Sequence, residues 1–246
     1  MRYLIVSDLH ANWQALEAVV QETAGRYDRA LCCGDLIGYC ADPNPVIEWV
    51  RDNCAAIVRG NHDRACTGQE DLEWFNPVAR QAALWTQAAL TPANTEYVTG
   101  LAKGPLDIDG FQLSHGSPFD EDEYVLGADE AEQAFGYLER RLAFFGHTHL
   151  QGGFIWNCAR VELIPRPSLH SHRHLLEVDP ACGYLINPGS VGQPRDGDPR
   201  AAYAIFDSDA AIVAYHRVEY DVELAQHRIR ASGLPAVLAD RLSAGR

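Results

Sequence analysis

Short apolar runs that end in a carboxylate or an imidazole recur along this chain, and that recurrence constrains its fold more than any other feature. Tyr3-Leu4-Ile5-Val6 runs into Asp8 and His10. Ala30-Leu31-Cys32-Cys33 ends in Gly34-Asp35, and Ala55-Ala56-Ile57-Val58 ends in Arg59-Gly60-Asn61-His62-Asp63. Phe111-Gln112-Leu113 delivers Ser114-His115, and Ala143-Phe144-Phe145 delivers Gly146-His147-Thr148-His149. Runs of this length read as buried strands. Between the first two, Trp13, Leu16, Val19 and Val20 recur at helical spacing, and Gly25 stops the helix. Strand, helix, strand makes a right-handed unit with parallel strands. Ligands of such sheets gather outside the carboxyl ends of the strands, so these polar clusters are expected to converge on one edge.

The clusters carry the chemistry of a metal site. Asp8 and His10 are two residues apart, and if the chain is still extended there both side chains point to the same side. His147 and His149 repeat that spacing. Gly34 lets the backbone come close to whatever Asp35 holds. Asn61 offers a neutral oxygen ligand and His62 a proton donor beside it. Arg59 is placed to face an anionic substrate, while Asp63 is expected to cap the next segment. Asn12 has two compatible roles, as N-cap of the first helix and as an amide reaching a bound phosphate. Asp8, His10, Asp35, Asn61, His115, His147 and His149 make seven candidate ligands, too many for one ordinary site. Oxygen and imidazole donors together suit Mn, Fe, Zn, Co or Ni. Two such ions sharing a carboxylate, roughly 3.5–4 Å apart, clamp the attacking and leaving oxygens of an in-line displacement at phosphorus.

The rest of the chain reads as framework. Asp42-Pro43-Asn44-Pro45 turns into a helix through about Arg51, and residues 70–102 are mainly helical, broken at Thr91-Pro92. Trp74, Trp85 and Tyr97 are expected to pack there, and the segment to act as a cap-like wall of the cleft. Leu106-Asp107-Ile108 and Phe111-Gln112-Leu113 flank Asp109-Gly110, a hairpin signal. A helix follows over about 129–140, and beyond residue 150 strands predominate (154–156, 161–164, 184–186, 202–206, 211–215) before two short helices over 221–231 and 234–243. The turn Asn187-Pro188-Gly189-Ser190-Val191-Gly192 is expected to be structural. His170, His172 and His174 alternate after Pro165-Arg166-Pro167-Ser168; they are expected on a solvent loop rather than in a second metal site.

A net charge of −14 opposes a long nucleic-acid surface, yet admits a small phosphorylated substrate, because bound metals invert the local field. No run of ~18 apolar residues is present, and Met1-Arg2-Tyr3 enters a strand without a signal-peptide pattern. The seven cysteines form no C-x-x-C pair and read as reduced thiols. A cytoplasmic protein without a membrane segment is expected.

The order D-x-H, G-D, G-N-H-D, H and G-H-x-H resembles that of the calcineurin-like metallophosphoesterases. Here it reads Asp8-Leu9-His10, Gly34-Asp35, Gly60-Asn61-His62-Asp63, Ser114-His115-Gly116 and Gly146-His147-Thr148-His149. Bacterial members, the phosphodiesterase and diadenosine tetraphosphatase-like branch, are also similar at Trp85-Thr86, Asn187-Pro188-Gly189-Ser190 and Asp196-Gly197-Asp198-Pro199-Arg200. The resemblance implies one α/β domain over residues 1–246, a four-layer αββα sandwich of two mixed sheets flanked by helices. It assigns one metal to Asp8, His10, Asp35 and His149, and the other to Asp35, Asn61, His115 and His147, with Asp35 bridging. It implies a metal-bound hydroxide as nucleophile and His62 as the acid that protonates the leaving group. One position pair departs from the protein serine/threonine phosphatase branch, where an Asp and an Arg stand at the places of Gly38 and Tyr39. That Arg binds a phosphate dianion, so its loss favours a phosphodiester over a phosphomonoester. Arg59, Arg64 and Arg195 are the cations that can replace it. Dinucleoside polyphosphate hydrolysis is a further substrate option, with a nucleotide among the candidates. A protein-binding scaffold is the non-enzymatic alternative, disfavoured by the full ligand set. The sequence leaves the oligomeric state open.

Overall fold

The structure, a computed structural model, describes residues 1–165 and 171–246. It opens with β1 (Arg2–Val6), α1 (Trp13–Thr23), β2 (Arg29–Cys32), α2 (Pro43–Asn53), β3 (Cys54–Ile57) and α3 (Asn61–Cys66). The three strands are parallel, with Val6 opposite Cys32 and Cys32 opposite Ile57. Next come α4 (Pro77–Ala89), α5 (Pro92–Thr99), the hairpin β4 (Leu106–Ile108) and β5 (Phe111–Leu113), α6 (Ala128–Tyr137) and β6 (Leu142–Phe144). The chain closes with β7 (Gly152–Trp156), β8 (Val161–Ile164), β9 (Arg173–Glu177), β10 (Gly183–Asn187), β11 (Ala201–Asp207), β12 (Ile212–Val218), α7 (Val222–Ala231) and α8 (Ala236–Ala244).

Two six-stranded mixed sheets result, ordered β3-β2-β1-β11-β12-β9 and β4-β5-β6-β10-β7-β8. β1 shows why its sequence is apolar throughout. Alternate residues point to opposite faces, and both faces of this strand are covered. Tyr3 and Ile5 join Leu31, Phe111, Leu113, Phe144 and Ile186 in a core between the sheets. Leu4 and Val6 face the other way, against Leu16 and Val19 of α1 and Val46, Ile47 and Val50 of α2. On the far side of the second sheet, Ala143, Phe154 and Leu185 pack on Ala131, Ala134 and Phe135 of α6. The layers are therefore helix, sheet, sheet, helix, as the resemblance implies.

Residues 70–102 fold as a 3-10 turn over Leu72–Trp74 followed by α4 and α5, with Thr91 capping α5 at the expected break. Trp85 packs beside α7 and α8, and Tyr97 against the helical face of the first sheet. One strand is unexpected. β9 carries Leu175 48% exposed on a sheet edge, so its sequence lacks the alternation that marks half-buried strands. His174 thus lies in a strand, near the Tyr215 ring, rather than in a solvent loop. His172 precedes that strand and reaches Arg200, and His170 lies outside the described residues. Neither His172 nor His174 belongs to a metal-capable cluster among the described residues. No helix among them is long and apolar enough to cross a membrane.

Candidate metal centre

All seven candidate ligands lie where strands end. Asp8 and His10 follow β1, Asp35 follows β2, Asn61 opens α3 just past β3, His115 follows β5, and His147 and His149 follow β6. The chain is not extended there, so the condition for same-side alternation of Asp8 and His10 is not met. Asp8, His10, Asp35, His147 and His149 adopt left-handed backbone with φ of 52, 46, 54, 65 and 60°. Each such residue costs ~1–2 kcal/mol, so the surroundings must hold the loops in place. They do: the Asp8, His10 and Ala11 N–H groups donate to Gly34, Asp35 and Leu36 carbonyls at 3.0, 3.0 and 2.9 Å. The side chains still converge, through strained turns rather than by strand alternation.

Two groups form. In each, the candidate ligand atoms lie within 4.8 Å of one another: Asp8, His10, Asp35 and His149 in one, Asp35, His115 and His147 in the other. Asp35 belongs to both. Asn61 Oδ1 lies 3.3 Å from His115 Nε2, at the second group.

The donors fit a divalent cation on physical grounds. His10 and His149 each spend Nδ1 on a carbonyl, of Ile37 at 3.1 Å and of Gln193 at 2.5 Å. Nδ1 therefore carries the proton, and the two Nε2 lone pairs face each other at 3.0 Å. Burial pushes both imidazoles well below their ordinary range, so no proton bridges the pair. Asp8 Oδ2 is buried without a hydrogen-bond partner among the described residues. A shared cation answers all three features. In the second group His115 gives Nδ1 to the Cys33 carbonyl at 2.8 Å. His147 uses Nε2 on the Asp122 carbonyl at 3.1 Å, leaving Nδ1 for the cluster. Burial is the largest single influence and lowers the His115 pKa, but the charge and hydrogen bond of Asp35, the Asp8 charge and the Cys33 carbonyl together lift it to about 10. Metal binding there must displace a proton.

Sequence reasoning missed how these ligands are supported. Asp63 does cap: its Oδ2 accepts the Gly60 N–H at 2.9 Å. The same carboxylate also accepts the Asp35 and Leu36 N–H groups at 3.0 and 2.9 Å. Gly60 passes so close to Asp35 that a Cβ there would meet Oδ1 at 2.1 Å. The turn after β10 brackets the first loop, with Ser190 Oγ and the Gly192 N–H both donating to the Asp8 carbonyl at 2.8 and 2.9 Å. No local signal marks these partners, which are separated by more than 180 residues in sequence.

A family model of the calcineurin-like phosphoesterase superfamily domain matches residues 1–164. The chain belongs to this superfamily. It is 41% identical to the crystal structure of a metallophosphoesterase from Sphaerobacter thermophilus, with a TM-score of 0.88 over 100% of this chain and 99% of that one. It is 38% identical to the uncharacterized protein MJ0912 of Methanocaldococcus jannaschii, across 98% of this chain and 97% of that protein. The hypothetical protein PH1004 of Pyrococcus horikoshii OT3 shares the fold at 17% identity, TM-score 0.77, over 100% and 98% of the two chains. The chain is accordingly a metal-dependent phosphoester hydrolase.

The cleft of this phosphoesterase is a cavity of about 280 Å³ lined by Tyr39, Asn61, His62, Phe75, Tyr124 and His147 among others. The His62 N–H donates to Asp35 Oδ1 at 2.9 Å. Its ring lies 4.3 Å from the Tyr39 ring and 5.6 Å from Phe75. Burial pushes the His62 imidazole down to about 4, with Asp35 pulling it up. Gly38 adopts φ 90° beside this ring, and a Cβ there would meet His62 Nδ1 at 2.8 Å.

Two residues expected at the substrate are engaged elsewhere. Arg59 is held by Glu121 through Nε and Nη2 at 3.1 and 3.0 Å. Asn12 accepts the Ala15 N–H at 3.2 Å as the N-cap and donates its amide to the Gly192 carbonyl at 2.8 Å and the Tyr220 hydroxyl at 3.3 Å. Both ends of its side chain are used within the fold, which leaves the cap role and no donor aimed at a phosphate.

Proposed function

We propose that this phosphoesterase hydrolyses a small phosphate ester at the centre that shares Asp35, with His62 protonating the leaving group. The observation that carries this reading is the position of Asp35, which belongs to both ligand groups and also accepts the His62 N–H at 2.9 Å. Acid and metal ligands are thereby fixed to one carboxylate. Asp8, His10, Asp35 and His149 would hold one divalent ion and Asp35, Asn61, His115 and His147 another, which when bound would supply Lewis-acid polarisation of the phosphoryl oxygens and activation of water. Mn, Fe, Zn, Co and Ni all suit such donors.

The protein's own groups do the rest. His62 rests neutral because of its burial. A phosphate anion entering beside the ring favours the protonated form. The proton then passes to the leaving oxygen as its bond to phosphorus breaks. Tyr39, Phe75 and Tyr124 wall the cleft with rings, which suits a planar leaving group such as that of a nucleotide. The net charge of −14 opposes long nucleic acid. Seven free cysteines support a reducing, cytoplasmic setting.

Two substrate readings follow from two observations. Gly38 and Tyr39 bring neither the carboxylate nor the cation of the phosphatase turn, which favours a diester. Arg195 reaches the Tyr39 hydroxyl from another loop at 3.5 Å, which favours a monoester. Hydrolysis of bis-p-nitrophenyl phosphate and p-nitrophenyl phosphate by Mn²⁺-loaded protein tests the function. Turnover of at least one, lost on chelation and regained with Mn²⁺, is expected. No turnover of either with both ions bound would overturn the enzymatic reading.

A further inference from the structure

Of the three arginines that can supply a cation to the cleft, two are already neutralised. Arg59 is paired with Glu121 at 3.0 Å, and Arg64 with Glu70 at 3.2 Å and Asp122 at 2.6 Å. Arg195 has no carboxylate partner among the described residues. Its Nη2 donates to Gln193 Oε1 at 3.1 Å and to the Tyr39 hydroxyl at 3.5 Å, both neutral acceptors. Its Nε is buried and has no partner among the described residues, an arrangement that is costly unless something else accepts that hydrogen.

The loop aims this cation at the centre. The Arg195 N–H donates to the carbonyl of His149 at 3.3 Å, and the guanidinium stands 5.8 Å from the centre of the Tyr39 ring. That ring in turn lies 4.7 Å from His10 and 4.3 Å from His62. Its chain neighbour Asp196 turns Oδ2 to Arg217 and to the Gln151 N–H, and although its Oδ1 has no hydrogen-bond partner among the described residues, it forms no ion pair with Arg195. Pro194 stiffens the approach. An unpaired guanidinium held beside the acid and a ligand is placed to receive an anion in planar, two-point fashion.

We infer that Arg195, with the Tyr39 hydroxyl, grips non-bridging oxygens of the substrate phosphoryl group and selects the doubly charged group of a phosphomonoester. The inference rests on the phosphoester hydrolase reading of the site. Arg195 supplies from the loop after β10 the cation that position 39 lacks. A monoester offers one more non-bridging oxygen and one more charge than a diester, and the guanidinium answers both.

The test is Arg195→Gln and Arg195→Lys in the Mn²⁺-loaded protein. It reads kcat and KM on p-nitrophenyl phosphate and bis-p-nitrophenyl phosphate, equilibrium binding of inorganic phosphate, and metal content. A charge-assisted contact of this kind is worth roughly 10–100-fold. Arg195→Gln is therefore expected to weaken phosphate binding and raise the monoester KM by that factor, with both metals retained and a far smaller change on the diester. Arg195→Lys, which keeps the charge and loses the fork, should recover part of the loss. If wild-type protein binds phosphate and turns over ester, and Arg195→Gln matches it, the clamp is wrong while the reading of the site stands. Equal loss on both esters also overturns the selectivity. If metal-loaded wild-type protein neither binds phosphate nor cleaves either ester, the site reading falls and the clamp falls with it.

Discussion

The Asp63 carboxylate is bonded to the backbone of Asp35: Oδ2 accepts the Asp35 N–H at 3.0 Å, while Oδ1 of the same group takes the Leu36 N–H at 2.9 Å. A residue that caps its own helix thus sets the left-handed turn of the carboxylate common to both ligand groups. Asp63→Ala leaves the Gly60, Asp35 and Leu36 N–H groups without their acceptor. The expected loss is at least ~3 kcal/mol, since a bond to a charged group is worth about 1.5–3 kcal/mol. Metal affinity should fall roughly 10–100-fold, the usual effect of removing a ligand's support. Chemical denaturation and metal titration check both, and retained affinity in a destabilised protein would reduce Asp63 to a helix cap.

Asp35→Asn tests the sharing itself. An amide in place of the carboxylate removes one negative charge from both groups, so metal should be lost from two positions and not one. Metal content after dialysis, with calorimetric titration of Mn²⁺, is the measurement. Two ions bound as tightly as in the parent protein would mean that the groups do not share Asp35.

Much of this clustering was legible in the sequence because the candidate ligands sit where strands stop. An apolar run followed by Asp or His is a local pattern, and parallel strands deliver such ends to one edge. The backbone that presents them was not legible. Asp8 and His10 reach the centre through left-handed turns held by Gly34 and Asp35 carbonyls, contacts that exist only once β1 and β2 are paired. Arg59 and Arg195 show the same limit. Both stand at loops, yet one meets Glu121 and the other meets neutral Gln193 and Tyr39. Charge pairing across 62 residues of chain leaves no periodic trace.

His216 gives a pH dependence away from the metal centre. Its ring stacks on Tyr203 at 5.0 Å, and burial lowers its pKa to about 4, helped by the charges of Arg26 and Arg173. An unfolded histidine titrates near ~6.5. Between these values the unfolded chain binds the proton that the folded protein refuses, so stability rises with pH across that window. Acidification from pH 6.5 towards 4 should therefore lower the denaturation midpoint. His216→Phe, which keeps the stack and cannot titrate, should show a smaller drop. Superimposable pH profiles of variant and parent would assign the acid sensitivity elsewhere.

Gly38 and His62 are bound by space, and that makes the proposed acid testable in two ways. His62→Ala removes the proposed proton donor and should keep both metals. General acid catalysis contributes ~10²–10⁴-fold, and the loss should be largest for esters with poor leaving groups, because those need the proton most. Gly38→Ala attacks the same function without touching the imidazole. The new Cβ would meet His62 Nδ1 at 2.8 Å, at a backbone φ of 90° that side chains rarely adopt. The ring must turn away, so Gly38→Ala should follow His62→Ala on phenyl phosphate while sparing p-nitrophenyl phosphate, whose leaving group departs without help. Combining the two changes should then cost little more than His62→Ala alone, since a displaced acid and an absent one are equivalent. Additive losses in the double variant would show that Gly38 serves the site through something other than His62, with the Tyr39 turn as the next place to look.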